Sequence, residues 1–435
     1  MSLLLDIIRH HKAGHATGIY SVCSAHPLVL EAALRQGLED DSPILIEATS
    51  NQVNQFGGYT GMKPADFRDF VYGLADKTGF ARDRLILGGD HLGPNVWKKA
   101  PAAEAMALAG DMVREYVRAG FRKIHLDCSM SCAGDPLPLS DAVVAERAAQ
   151  LCRICEDTWR EVGGDAPVYV IGTEVPVPGG ANEELGELEV TSPEAARQTL
   201  AVHREVFAAA GLADAFERAI AMVVQPGVEF DHHKVVAYQP AKATALSAFI
   251  VGEPLVYEAH STDYQSETAL TELVRDHFAI LKVGPGLTFA MREALYALDQ
   301  IERETIGEFG ASHLKDTLTQ VMQEEPDYWL PYYSQPGHQQ YLDRNYSFSD
   351  RIRYYWPHPK VVAAQQTLFA NLARQPLLMT LVSQYLPEQA RKVAEGRLPA
   401  SAEALVIDKV MEVTRSYARA CGMAGTETAR ERRVA

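Results

Sequence analysis

The feature that most constrains how this 435-residue chain can fold is an alternation that repeats eight times. Short, apolar, β-rich runs occur at residues 18–22, 43–47, 84–88, 123–127, 168–172, 221–225, 255–259 and 280–284. Each is closed by Gly, Pro, Asn, Asp or Ser, as expected of strands covered on both faces. Amphipathic stretches such as 102–119 and 193–210 lie between them. Strand then helix, eight times over, predicts an α/β protein of the (β/α)8 barrel type. A doubly wound sheet would normally carry a Gly-rich turn after its first strand, and none is present. The pattern predicts a barrel over residues 1–305 with its site at the strand C-termini. A mainly helical extension over 306–435 is expected to pack on one rim. Residues 326–359 are crowded with Tyr, Trp, Pro and His before the helical pattern resumes.

Composition narrows the partners. A net charge of −16 argues against nucleic acid, which is bound through clustered Lys and Arg. An anionic substrate would therefore have to be met by local donors. No apolar run approaches the roughly 20 residues that cross a bilayer, and no basic amphipathic segment suggests a membrane surface. Asp6 and Arg9 come too early for a signal peptide. With six cysteines in so long a chain, reduced thiols and a cytoplasmic location are expected. Cys152 and Cys155 form a lone CxxC in a helical stretch, which reads as core packing rather than zinc or redox chemistry.

Function in a barrel sits at the carboxyl ends of the strands. After the third run stand Asp90 and His91, a carboxylate and an imidazole side by side. The His can hold a divalent metal while the Asp moves a proton. An isolated Asp-His pair more often serves a cap or a turn. Here, however, polar clusters follow nearly every run: Ser24 and His26, Glu47 with Asn51, Asn95, Asp127 with Ser129, Glu174, Gln225 with Glu229, His260 with Ser261 and Asp263, and Lys282. Neighbours diverge along a strand, so Asp90 and His91 are expected to share a pocket only where the strand frays into its loop. Histidines, carboxylates and amides on one face suit zinc, manganese or magnesium. The turn at Gly284, Pro285 and Gly286 leads into a helix and offers backbone N–H groups to a phosphate, or is simply a tight βα turn. There is no GxxxxGK[ST] loop and no GxSxG elbow.

The strings Gly89-Asp-His-Leu-Gly-Pro-Asn95, His125-Leu-Asp-Cys-Ser129, Gly172-Thr-Glu-Val-Pro176, Gln225-Pro-Gly-Val-Glu229 and Glu258-Ala-His-Ser-Thr-Asp263 resemble the tagatose-bisphosphate aldolase GatZ/KbaZ family. So does Tyr346-Ser-Phe-Ser-Asp-Arg-Ile-Arg-Tyr-Tyr-Trp-Pro357, within the extension. The resemblance runs nearly the whole length and implies a (β/α)8 barrel related to zinc-dependent class II aldolases. Family members are described as non-catalytic aldolase partners, as tagatose-6-phosphate kinases, or as ketohexose 4-epimerases. By motif, Asp90 resembles the class II acid/base Asp, His91 the first metal ligand and His260 the seventh-strand ligand. The sixth-strand His of the class II aldolases is not matched, and Gln225 and Glu229 stand there instead.

Three readings follow. The first is a metal-dependent 4-epimerase converting tagatose 6-phosphate to fructose 6-phosphate by retro-aldol and aldol steps. It uses Asp90, Glu174 and Asp127 for acid/base work, and His91, His260, Gln225 and Glu229 for a divalent metal, zinc first, with manganese or magnesium as alternatives. Asn51, Asn95, Ser261, Asp263, Lys282, Gly284 and Gly286 would hold the phosphorylated ketohexose. The second is a non-catalytic subunit of a class II tagatose-1,6-bisphosphate aldolase, partnered with the catalytic subunit. The third is the aldolase itself, which needs a second anion site from Lys98, Lys99, Arg292, Arg351 or Arg353. A homo-oligomer is compatible with all three.

Overall fold

Hydrogen-bond registers between the apolar runs fix the architecture. In a computed structural model, which describes residues 1–173 and 188–423, all eight runs form strands. They are β1 Ile19–Val22, β2 Ile44–Thr49, β3 Leu85–Leu92, β4 Lys123–Leu126, β5 Val168–Ile171, β6 Ala219–Val223, β7 Val256–Ala259 and β8 Ile280–Val283. Every pairing is parallel, and β8 returns to β1 to close the barrel. The amphipathic stretches are the helices Ala102–Arg118 and Pro193–Ala209.

Alternation along each strand divides the residues between two environments. Tyr20, Val22, Ile46, Ala48, Ile124 and Leu126 face the surrounding helices in one large core. The other set points to the axis, and its lowest tier is apolar: Ile19, Leu45, Ile86, Val168, Val256 and Ile280. The helix Ser2–Lys12 closes this end by burying Leu4 and Ile8 against that tier. The apolar plug keeps water from the barrel floor, which is what allows charged side chains higher up to interact in a low-dielectric interior.

Beyond residue 306 the chain is helical: Leu314–Glu324, His338–Tyr346, Pro359–Leu372, Met379–Tyr385, Pro387–Ala394 and Ala402–Ala420. The last helix lies against the barrel helices Pro27–Asp40 and Pro285–Ile306. There Tyr417 donates to the Thr262 carbonyl at 2.7 Å, just past the end of β7. Cys152 and Cys155 are buried core residues of the helix Asp141–Val162. Among the described residues no helix is long and apolar enough to cross a membrane.

Candidate active site

Above the apolar floor the axis becomes charged. Glu47 on β2, Lys123 on β4, Glu258 on β7 and Lys282 on β8 form one interior tier. Glu47, Lys123 and Glu258 have no solvent exposure. Lys123 Nζ lies 2.8 Å from Glu47 Oε1 and 2.6 Å from Glu258 Oε2, the second contact being an ion pair without hydrogen-bond geometry. Lys282 bridges Glu47 and Asp90 Oδ1, the latter at 3.0 Å. Room for the Glu47 carboxylate exists because β3 has Gly88 opposite it: a Cβ there would sit 2.4 Å from Glu47 Oε1.

The next tier carries Asp90, His125 and His260, with His91 beside them. The three imidazoles form a triangle, with ring centroids 5.2 Å apart for His91 and His125, 4.8 Å for His91 and His260, and 5.2 Å for His125 and His260. β3 does not fray at Gly88 as the sequence suggests but continues to Leu92. Its register shifts between Gly89 and Leu92, and His91 takes a left-handed φ of 50°. That irregularity, rather than a loop, turns two consecutive residues toward one cavity, and such a conformation costs a non-glycine residue roughly 1 kcal/mol or more. Ser261, after β7, has the same conformation at φ 53°.

Each imidazole is oriented by a carboxylate. His91 Nδ1 is 2.7 Å from Asp127 Oδ2, and Asp127 Oδ1 accepts from the Ser129 hydroxyl at 2.7 Å. His125 Nδ1 is 2.9 Å from Asp90 Oδ1, and His260 Nε2 is 3.0 Å from Glu258 Oε1. With its proton on Nδ1, His125 presents a buried Nε2 lone pair, and that atom has no hydrogen-bond partner. Burial favours the neutral Asp90 carboxyl, but His91, Lys282 and His125 outweigh it and hold this acid well below the usual range. Asp127 is also resisted by burial, yet its bond to His91 brings it down to about 2. His91 is raised despite burial because Asp90 and Asp127 face it, whereas burial pushes His260 down to about 4.

Asp90, His125, Glu258 and His260 can together hold a metal ion, each offering one ligand atom within 4.8 Å of the others. The orphaned His125 Nε2 fits that role, as do two nitrogen and two carboxylate donors. So does the charge: the carboxylates Glu47, Asp90 and Glu258 outnumber the ammoniums of Lys123 and Lys282 that pair with them, which leaves negative charge to attract a cation.

The residues expected from the sequence separate into groups. Asn51, Asp90, His91, His260, Ser261, Asp263, Lys282 and Gly284 line one cavity at the strand C-termini. Asp127 stands behind His91. Gln225 and Glu229 are outside the donor group: the Gln225 side chain accepts from the amides of Gly227 and Val228, closing its own turn. Glu229 starts a two-stranded hairpin and accepts from the Phe230 amide, and burial raises its carboxyl to about 7. Of the four expected metal ligands, His260 belongs to the donor group, whereas His91, Gln225 and Glu229 do not, and Asp90, His125 and Glu258 accompany His260 instead. Asn95 lies in the short turn Pro94–Trp97 and does not line the cavity. Gly284 and Gly286 donate their amides to Asp263 Oδ1 at 2.9 and 2.7 Å, so the helix start is capped from within. Burial nevertheless raises Asp263 to about 6. Glu174 lies outside the described residues. The sequence reading missed Lys123, His125 and Glu258 as site residues, although steps of two from Asp127 and His260 lead to each of them. It also left Tyr59 and Tyr354 unassigned, and both line the cavity.

Comparison with known proteins adds the following. Residues 4–422 match the family described as D-tagatose-1,6-bisphosphate aldolase subunit GatZ/KbaZ-like. A probable tagatose 6-phosphate kinase from Sinorhizobium meliloti 1021 is 50% identical, with a TM-score of 0.86 over 93% of this chain and 100% of that one. A fructuronate-tagaturonate epimerase from Cohnella laeviribosi superimposes with a TM-score of 0.51 over 93% of this chain and 81% of that one. At 10% identity that likeness shows the fold alone.

Proposed function

The chain belongs to the D-tagatose-1,6-bisphosphate aldolase subunit GatZ/KbaZ-like family, and from that premise we propose that it is a divalent-metal-dependent 4-epimerase of a ketohexose 6-phosphate. Tagatose 6-phosphate and fructose 6-phosphate are the interconverted pair. The observation that carries this reading is the buried donor set Asp90, His125, Glu258 and His260 beneath a polar cavity. The hydrogen on C4 is not acidic, because C4 does not adjoin the C2 ketone. Inversion there is most economically achieved by breaking and re-forming the C3–C4 bond.

A divalent metal held by these donors supplies a Lewis acid for the ketone. Asp90 takes the proton from the C4 hydroxyl as the C3–C4 bond breaks and its electrons move toward the C2 oxygen. Oδ1 of Asp90 is engaged by His125 and Lys282, whereas among the described residues Oδ2 has His91 Nε2 at 3.7 Å and the Cys23 thiol at 3.8 Å. Oδ2 is therefore the oxygen that receives the proton. The low proton affinity of Asp90 keeps it ionised for this role. The aldehyde carbon turns its other face, the bond re-forms, and Asp90 returns the proton. Asp127 fixes His91 through Nδ1, the arrangement that orients an imaidazole toward a metal or substrate. Glu174 remains the candidate for a second acid/base.

The test is an assay of metal-reconstituted protein with tagatose 6-phosphate, following fructose 6-phosphate and triose together. Fructose 6-phosphate without free triose supports the epimerase; sustained triose release points to an aldolase. No turnover with zinc, manganese or magnesium overturns the proposal. It would favour a second reading suggested by the family's description as an aldolase subunit, a stabilising partner of a catalytic chain. Co-purification with such a chain is the readout for that alternative.

A further inference from the structure

If the substrate is a phosphorylated ketohexose, its anionic end needs a cation, and the groups that the sequence offers for this are nearly all committed elsewhere. Lys282 is neutralised by Glu47 and Asp90, and the Gly284 and Gly286 amides by Asp263. Lys98 and Lys99 are exposed on the turn after β3. Arg292 is paired with Asp350, and Arg351 donates to the Tyr328 carbonyl while stacking 3.4 Å over the Tyr332 ring.

Arg353 is different. It belongs to the turn Arg351–Tyr355 in the C-terminal extension, yet it lines the cavity together with its neighbour Tyr354. Its guanidinium donates to the backbone carbonyls of Ser349 and Asp350 and to the Tyr354 hydroxyl, the last at 3.1 Å. Among the described residues no carboxylate oxygen lies within 4.0 Å of it, and its Nε makes no hydrogen bond. With no carboxylate within ion-pair distance among the described residues, this half-buried Arg at the cavity wall is left able to pair with an anion that enters the cavity.

The turn is also held in place. The Asp350 carboxylate accepts from Thr288 at 2.6 Å, on the helix that follows β8, and Tyr264 after β7 donates to the Phe348 carbonyl at 2.5 Å. Tyr354 packs edge-on against Tyr59 from the loop after β2, with centroids 4.7 Å apart. The extension is thereby fastened to the barrel on both sides of Arg353.

We propose that Arg353 binds the terminal anion of the sugar, so that the C-terminal extension completes the active site of the barrel. This rests on the epimerase reading for the identity of the sugar, but the anion subsite is a separate claim. A fork of N–H donors suits a phosphate or a carboxylate. A single guanidinium at the cavity also fits a substrate with one anionic end better than a bisphosphate.

The experiment compares wild type, Arg353→Gln and Arg353→Lys, with thermal midpoints and circular dichroism establishing that each is folded. KM and kcat are measured for tagatose 6-phosphate, tagaturonate and uncharged tagatose. For Arg353→Gln the expected result is a KM raised about 10- to 100-fold for the anionic substrate that uses the subsite, with little change in kcat. The KM for tagatose should stay constant, and Arg353→Lys should recover part of the loss. A shift for tagatose 6-phosphate alone assigns the subsite to phosphate; one for tagaturonate alone assigns it to carboxylate. Equal effects on tagatose, or none on either anion, overturn the proposal. Equilibrium binding of fructose 6-phosphate against fructose separates this failure from failure of the epimerase reading, because it requires no turnover. Wild type should prefer the phosphate and Arg353→Gln should lose that preference; equal preference in the two proteins refutes the role of Arg353.

Discussion

Replacing Lys123 by Met tests whether the interior charges hold the barrel together as the geometry implies. The side chain is fully buried between Glu47 and Glu258, at 2.8 and 2.6 Å. At an effective dielectric constant of about 20, each contact represents roughly 6 kcal/mol of gross attraction. Most of that offsets the cost of desolvating the charges, so the net effect is smaller. Removing one partner of a buried pair typically costs about 3–5 kcal/mol, because the remaining charge stays enclosed. Met preserves the volume and adds no cavity of consequence, so the loss is electrostatic. The pH dependence provides the sharper signature. Burial opposes ionisation of Glu258, yet Lys123, Lys282 and His260 bring its folded-state value well below 4.5. A depressed acid stabilises the fold above its unfolded value and loses that contribution as pH falls through the folded one. The variant lacks the main source of this stabilisation. The stability gap should therefore be widest near pH 7.5 and narrow as pH falls to about 4.5 and below. Urea unfolding followed by far-UV circular dichroism, on metal-free protein, measures both ends. A gap under about 1 kcal/mol at pH 7.5, or one independent of pH, would refute the reasoning.

Other outcomes follow from the same geometry. Asp90→Asn should lower turnover by about 10²- to 10⁴-fold even when the variant is reloaded to the wild-type metal content, because Asp90 is both a candidate metal donor and the proton carrier; full activity would remove Asp90 from the proton transfer. His125→Gln should weaken metal binding at least about 10-fold in a chelator competition, since it deletes the buried lone pair at Nε2, and an unchanged affinity would exclude His125 as a ligand. Glu229, raised to about 7 by burial, favours the folded state below its unfolded value near 4.5 and loses that contribution as pH rises through 7. Relative to wild type, Glu229→Gln should therefore gain about 3 kcal/mol between pH 4.5 and 8, and parallel stability curves would contradict this. Gly88→Ala should destabilise by about 1–3 kcal/mol through its contact with Glu47, and wild-type denaturation midpoints would show that the carboxylate can move aside.

The barrel was legible because each βα unit announces itself locally. A short apolar run followed by a helical period states the conformation of its own backbone, and eight of them leave few ways to close a sheet. The same local character hid part of the site. Lys123, His125 and Glu258 sit inside the strands rather than after them, so reading only the strand ends passed over them. Strict alternation from Asp127 and His260 would have placed them on the axis. The glycine turn after β8 looked open to phosphate because its own residues say nothing about Asp263, which reaches its amides from the end of β7.

What the sequence determines by itself, then, is the succession of strands and helices, the alternation that sends polar residues inward, and the set of chemical groups available. Which groups meet is decided by the closed barrel. Lys282 reaches Glu47 across 235 residues because β8 returns beside β1, and His91 faces Asp127 because the β3 backbone is displaced at one position. Arg353 reaches the cavity only because the turn that carries it is fastened to the loop and helix after β7 and β8. Periodicity reports the conformation of neighbouring residues; ion pairing depends on register and closure, which couple residues far apart in the chain.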